Sequence, residues 1–382
     1  MTLASAPSGA ARKPLHWWTE AELGVELDTN ATRLDSVAAT GDPVMSALLR
    51  GHAQLGLRWR PLETFLVGGS YDLAGKVFFS DRARSQDTLI HRVDASLGVR
   101  LGRGLLGQLT GIYHEGFQRE PQASDLSAAL FDFRLLDGRA VLVLAPGDHL
   151  VASVGVGLQR FTYKPSQAIS FDSALGAFSL ESSWNLGRGA RESELELSFA
   201  YSIAERRYGA RLELLCTTQD CLDRCLADPE CDPEQPMTYT YRAASRTDLA
   251  QRLQFGLTWV GPVLLSATYV LVSSRSNSYG LGYLLHDLTG KLVAPLVWKL
   301  YGTLQFRLRL LSTEVPGALE ELALGFEEEN RSHMLVQIER SLYKRLKAIL
   351  RYTLFVGDLE HPRGDTLRHL LFLGLAFRYD GK

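Results

Sequence analysis

Three observations predict an all-β fold, a transmembrane antiparallel up-and-down β-barrel of about sixteen strands. Apolar and polar residues alternate along nearly the whole chain, which is the period of a β-strand. Short turns alternate with long polar stretches, as in a barrel with one tight rim and one elaborated rim. The six tryptophans gather beside the short turns. Among the 382 residues no apolar run reaches the length of ~18 that a membrane-spanning helix needs.

The last strand is the clearest. In Leu367–Tyr379, residues Leu367, Leu371, Leu373, Leu375, Phe377 and Tyr379 form one apolar row, broken only by His369. The other row is Arg368, Leu370, Phe372, Gly374, Ala376 and Arg378. Its length exceeds the ~9–11 residues of a tilted membrane strand. The same alternation places earlier strands at 17–28, 46–59, 63–72, 88–101, 105–115, 126–145, 149–163 and 173–184. It continues at 193–208, 246–260, 263–274, 281–294, 298–311, 332–341 and 346–356. Within 126–145 the phase slips near Asp137-Gly138, which predicts a bulge or two shorter strands.

Short turns fall at Arg60-Pro61, Leu101–Gly104, Ala145–Asp148, Asn185–Glu192, Gly261-Pro262, Ala294-Pro295 and Tyr343-Lys344. Longer polar stretches cover 29–45, 73–87, 116–125, 164–172, 209–245, 312–331 and 357–366. Pro61, Pro146, Pro262 and Pro295 sit at the tight turns, where a missing N–H breaks no ladder bond.

Trp17, Trp18, Trp59, Trp184, Trp259 and Trp298 are the expected aromatics of one membrane–water interface. Tyr71, Tyr113, Tyr269 and Tyr352 fall toward the long-loop ends and suggest a second girdle. Core aromatics of a soluble β-protein would have no reason to collect at one rim.

The inward rows are polar. Arg50, His52 and Arg58 share one phase, as do Arg92, Asp94 and Arg100. Glu194, Glu196, Arg252, Arg307, Arg309, Lys347 and Arg351 extend this expected lumen lining. Charges on that scale are not buried in a sandwich core. They point to a hydrated lumen or one holding a polar plug, and sixteen strands enclose room for either.

An even strand count requires the first strand to pair antiparallel with the last. The first strand's inward row is Glu20, Glu22, Glu26 and Asp28, and the last offers Arg368 and Arg378. Antiparallel pairing brings Asp28 and Glu26 toward Arg368, and Glu20 and Glu22 toward Arg378. The domain reading is therefore a flexible segment at 1–16, a barrel at 17–379 and a tail at 380–382.

With its Gly374-x-x-Phe377-x-Tyr379 ending, the chain resembles bacterial outer-membrane β-barrels over roughly residues 17–379. Gln159–Lys164 and Ser276–Gly280 resemble barrel domains of proteins that export polysaccharide or surface lipoprotein. The resemblance implies an outer-membrane location with periplasmic termini, outer-membrane lipid as surroundings, and periplasmic or surface proteins of an envelope complex as partners. It implies a passage or export conduit, with polysaccharide or another envelope polymer as cargo. The alternative is a plugged barrel that anchors an envelope complex through its long loops. Met1–Pro14 lacks an apolar stretch of signal-peptide length, so a signal or upstream region is expected before it.

A net charge of −2 argues against nucleic acid as a partner. No cofactor or metal is expected, and no enzyme. Ser274-Arg275-Ser276-Asn277 has serine where the His-x-Ser-Asn of barrel lipid hydrolases has histidine, and without that base the serine is not activated. Cys216, Cys221, Cys225 and Cys231 crowd into the acidic loop 209–245, read as extracellular. Two disulfides fit an oxidising surface better than zinc, with three connectivities open.

The cysteine reading has a direct test. Intact-mass analysis without reductant should show no alkylatable thiol, and chelators should change nothing. Four free thiols or stoichiometric zinc would reverse it.

Overall fold

The computed structural model describes residues 15–30, 45–118, 133–164, 170–187, 193–209, 211–214, 239–242, 246–277, 282–313, 332–356 and 367–381. The first nine strands are β1 (Leu15–Asp28), β2 (Ser46–Leu62), β3 (Phe65–Phe78), β4 (Thr88–Gly102), β5 (Leu105–Gln118), β6 (Phe133–Leu144), β7 (Leu150–Tyr163), β8 (Phe171–Leu186) and β9 (Ser193–Tyr208). A short hairpin follows, β10 (Arg211–Leu214) with β11 (Tyr239–Arg242). Then come β12 (Arg246–Val260), β13 (Leu264–Ser276), β14 (Tyr283–Pro295), β15 (Leu300–Thr313), β16 (His333–Tyr343), β17 (Leu346–Val356) and β18 (Leu367–Gly381).

All strands except β10 and β11 form one closed barrel, each paired antiparallel with its neighbours in the chain, and β1 paired with β18. That is the sixteen-strand up-and-down barrel the alternation predicts. Three details differ. The ladders of β6 run from Phe133 to Leu144 without a register shift, so Asp137-Gly138 carries no bulge. Register shifts lie instead at three short-turn ends, between Trp59 and Leu62 at Pro61, where β2 continues past the expected turn, between Arg100 and Gly102, and between Ser341 and Tyr343. The stretch 209–245, read as loop throughout, contains the β10–β11 hairpin, and its four cysteines lie outside the described residues.

Exposure shows which row faces which way. Leu158 is 71 % exposed, Val156 65 % and Leu373 65 %, whereas Glu26 is 1 % and Asp28 0 % exposed. Apolar side chains outside and carboxylates inside invert the order of a water-soluble protein. An apolar outer surface this continuous requires hydrocarbon around it. Among the described residues no helix is long and apolar enough to cross a membrane.

At the seam Glu20 lies opposite Arg378, Gly24 opposite Gly374 and Asp28 opposite Leu370. The Phe372 ring, 1 % exposed, lies over the glycine pair on the inner face, and a Cβ at either glycine would collide with it. Near the long-loop end Arg368 donates to both Asp28 oxygens, Nε to Oδ1 at 2.9 Å. Thr29 N donates to His369 O at 3.1 Å, and Thr29 Oγ1 accepts from His369 N at 3.0 Å. Both Arg368 and Asp28 are almost wholly buried, at 4 % and 0 % exposure.

Breaking a buried pair from one side strands a charge and costs about 3–5 kcal/mol. Arg368→Ala should therefore lower barrel stability by roughly that amount in urea titrations of the detergent-solubilised protein. Asp28→Asn combined with Arg368→Gln, which leaves no buried charge, should lose less than Arg368→Ala alone. Equal losses would show that the pair contributes packing only.

Candidate functional site

Regular pairing puts each inward residue opposite another inward residue, so one register locates the whole lining. Arg50 on β2 faces Gly24 and Lys76. Asp72 faces Arg92, and Ser70 faces Asp94. By the same alternation His52, Arg58, Arg100, Glu194, Glu196, Arg252, Arg307, Arg309, Lys347 and Arg351 all lie on the inner face.

This lining changes along the barrel axis. At the short-turn end Arg58, Arg100, Glu194, Lys291 and Lys347 are exposed, as expected of a hydrated vestibule. Toward the long loops the inner side chains are buried: Asp28, Leu48, Phe78, Phe133, Phe161, Tyr208, Asp248, Asp287, His333, Phe355 and Leu370 are each under 10 % exposed. The link between β3 and β4 takes part in this. Its 3-10 turn Asp81–Gln86 folds inward, and Ala83 packs on Leu48 and Phe78 with no exposed surface. Asp87 Oδ1 holds the turn by accepting from Phe78 N at 2.7 Å.

Inner charges are arranged as fixed pairs. Arg307 donates through Nε to Asp287 Oδ1 at 2.9 Å and also bonds through Nη2, while Arg309 Nε lies 3.8 Å from Oδ2 of the same aspartate. Arg139 bonds Asp137 through two contacts of 2.7 Å, and Arg92 bonds Asp94 through two of 2.8 Å. Arg246 pairs with Asp248, Nε to Oδ1 at 2.9 Å, with both side chains buried. Bidentate arginine–carboxylate contacts are directional and strong. They fix the direction in which each guanidinium points.

At the seam, Arg378 Nη1 lies 3.1 Å from Glu20 and Arg368 pairs with Asp28, but the two middle carboxylates go elsewhere. Glu22 accepts from Arg351 of β17 at 2.9 and 3.1 Å, reaching across β18 over Ala376. Glu26 accepts from Arg50 of β2 at 3.0 Å. The expected Glu22–Arg378 and Glu26–Arg368 contacts are replaced because Ala376 and Phe372 occupy the facing positions on β18.

The tryptophans divide. Trp17, Trp59, Trp184 and Trp259 face outward, by register with outward leucines and valines. Trp18 faces inward and lies over Gly56, because alternation cannot put two successive residues on one side. Trp298 lies in the turn between β14 and β15, 81 % exposed, with a left-handed φ of 57°. The tyrosines sit nearer mid-strand than expected, and two hydroxyls reach toward the long-loop rim to bond outward histidines. Tyr269 bonds His286 Nδ1 at 2.8 Å, and Tyr352 bonds His369 Nδ1 at 2.7 Å.

Sequence reasoning missed Asp137, Arg139, Arg246, Asp248 and Asp287 as lumen residues. The signal was present in two cases: opposite charges two residues apart share one face of a strand, as in Asp137-x-Arg139 and Arg246-x-Asp248. The serine motif places Ser274 inward at 3 % exposure, while Asn277 Oδ1 accepts from Thr247 N at 2.9 Å, a structural contact at the rim.

No family model matches the chain, and no curated protein matches it in sequence. Solved structures share its outline at low identity. The anion-selective porin from Comamonas acidovorans is 10 % identical, with 96 % of this chain and 99 % of that chain covered and a TM-score of 0.46. OmpF of Salmonella typhi, in complex with daunomycin, is 12 % identical over 96 % of this chain and 97 % of that chain, TM-score 0.44. OmpT of Vibrio cholerae, an outer membrane protein solved as a trimer, is 10 % identical over 96 % of this chain and all of that chain, TM-score 0.42.

Proposed function

We propose that the barrel is a conduit through the bacterial outer membrane, with both termini on the periplasmic side and a narrow segment in its long-loop half. The observation that carries this is the axial gradient of the lining. Exposed charges at the short-turn end make a wet vestibule, and arginines held by carboxylates mark its inner wall. The chain enters β1 and leaves β18 at the short-turn rim, the arrangement that an even strand count imposes.

The cargo we favour is a polysaccharide or another envelope polymer. A row of rings on the inner face supports it. Phe133, Phe161, Phe171 and Tyr208 follow one another across β6 to β9 with centroid separations of 6.0, 5.3 and 5.2 Å. Aromatic faces suit the apolar faces of sugar rings. Phe133, Phe161 and Tyr208 are buried in this state, so passage requires that side of the lumen to open.

The second reading is a plugged barrel that serves as a platform for envelope proteins. The fully buried Ala83 and the burial of the long-loop half favour it. Planar-bilayer conductance separates the two. Discrete current steps are expected, and replacing Asp81–Gln86 with a Gly/Ser link of equal length should raise the step size by about twofold or more as the apolar constriction is relieved. A barrel that carries no current in either form would establish the platform.

A further inference from the structure

The outward face should be apolar at every height within the membrane, and one side of this barrel is not. Take the two outward residues nearest the long-loop end of each strand. From β14 round through β18 to β3, eight consecutive strands, none of these residues is Asp, Glu, Lys or Arg. Typical are Leu27 and Val25 on β1, or Met334 and Val336 on β16. From β5 to β9, five consecutive strands, every one has a charge there: Glu115, Arg134, Arg160, Asp172, and Glu205 with Arg207. Strands that simply rose clear of the membrane would be polar all the way round.

The charges form a built cluster around one carboxylate. Glu115 is 5 % exposed although it faces outward. It accepts from Tyr113 Oη and from Arg134 Nη2 at 3.0 Å, with Lys164 Nζ at 3.3 Å and His91 Nε2 at 3.4 Å. Phe117 lies beside it, stacked with the His91 ring at 5.6 Å, and Lys164 Nζ stands 4.2 Å over the Phe117 centroid. One carboxylate thus fixes two permanent cations, and the Arg134 side chain keeps 51 % of its surface exposed. Arg160 with Asp172 and Arg207 with Glu205 continue the arc, bonded at 2.6 and 2.8 Å.

Beneath the arc lies a groove of about 920 Å³ in the lipid-facing wall. Its small residues make two troughs, Gly138 and Ala140 on β6 and Ala174 and Gly176 on β8, parted by the exposed Val156 and Leu158 of β7, and Arg139 also contributes to the lining. Leu158 and Ile203 flank the β8 trough, and Glu205 stands at its long-loop end. Cations at the level of the headgroups directly above an apolar channel match the two ends of a lipid.

We propose that the outward arc of β5–β9, with the groove below it, is a binding site for a membrane lipid whose headgroup carries phosphate. Arg134 and Lys164 meet the phosphate, Glu115 holds them in place, and an acyl chain lies along Ala174 and Gly176, between Leu158 and Ile203. Arginine and lysine contacts to phosphate are charge-assisted and about twice as strong as neutral hydrogen bonds. A pre-arranged pair loses little side-chain freedom on binding. A protein partner would also have to fill an open groove inside the bilayer, which a single acyl chain does without cost to its own hydration.

The test is native mass spectrometry of the full chain released from nanodiscs that contain lipid A, its dephosphorylated form and phosphatidylethanolamine. The intact protein should retain bisphosphorylated lipid A at least about tenfold over the phosphate-free form. Arg134→Gln with Lys164→Gln should abolish that preference, while Arg275→Gln, outward on β13 and beyond the arc, should leave it unchanged. Gly176→Leu should reduce retention of every lipid by filling the groove. A heat-dependent gel shift identical to that of the parent protein certifies that each variant is folded. Equal retention of phosphorylated and phosphate-free lipid would overturn the proposal. So would a double variant that keeps the preference, or one whose sole effect is loss of a cross-linked dimer, which would make the arc a protein interface.

Discussion

In hydrocarbon no water is available to satisfy a backbone N–H or C=O, so every edge of the sheet must find a partner. The pairing of β1 with β18 is where that requirement is met last in sequence. It joins residues more than 340 positions apart, with twelve successive pairs from Trp17–Gly381 to Asp28–Leu370. Without it the barrel would expose two unpaired strands to lipid. Gly24 and Gly374 let the strands meet under Phe372, and Arg368 with Asp28 ties the long-loop end.

Closure also explains the distribution of charge. Once the sheet is closed, alternation divides each strand into a lipid row and a lumen row, and apart from the outward charges near the long-loop end of β5–β9 and β13 the charged side chains of the strands' middle enter the lumen. There they neutralise one another along a strand, as Asp137 does with Arg139, or across two strands, as Glu22 does with Arg351. These pairs are partly withdrawn from water, with the Asp137 side chain 3 % exposed and those of Glu22 and Arg351 20 and 17 %. Their two-point contacts are directional and fix where each long side chain points. Buried pairs such as Arg246–Asp248 differ, because losing one partner leaves the other charge uncompensated.

Much of this fold was legible in the sequence because a membrane barrel writes its period twice, once in the lipid row and once in the lumen row. All sixteen strand positions could be read, and β9, β12 and β17 have the observed ends. What escaped had physical causes. The slip at Asp137-Gly138 looked like a bulge because an inward aspartate stood beside a glycine in the lipid row, and a glycine carries no hydropathy signal. Trp18 was grouped with Trp17 by adjacency, which alternation forbids. The partners of Glu22 and Glu26 depend on which residues of β18 have no charge to offer, a matter of register rather than composition. The outward arc was hidden for a different reason: Glu115 and Arg160 lie near the ends of strands, where a charge in sequence looks like the beginning of a loop, and Arg134 fell inside the span 126–145, whose phase was misread.

The acidic row of β1 has one more consequence, during assembly. Before closure, β1 is an open edge that could pair with the same edge of another copy. Antiparallel pairing about Gly24 would then set Glu20 against Asp28 and Glu22 against Glu26, twice over. Each like-charged pair costs about 0.2–1 kcal/mol, so four of them disfavour the wrong partner without touching the right one. The residues that line the finished seam are thereby also a guard against chains joining edge to edge before the barrel is complete.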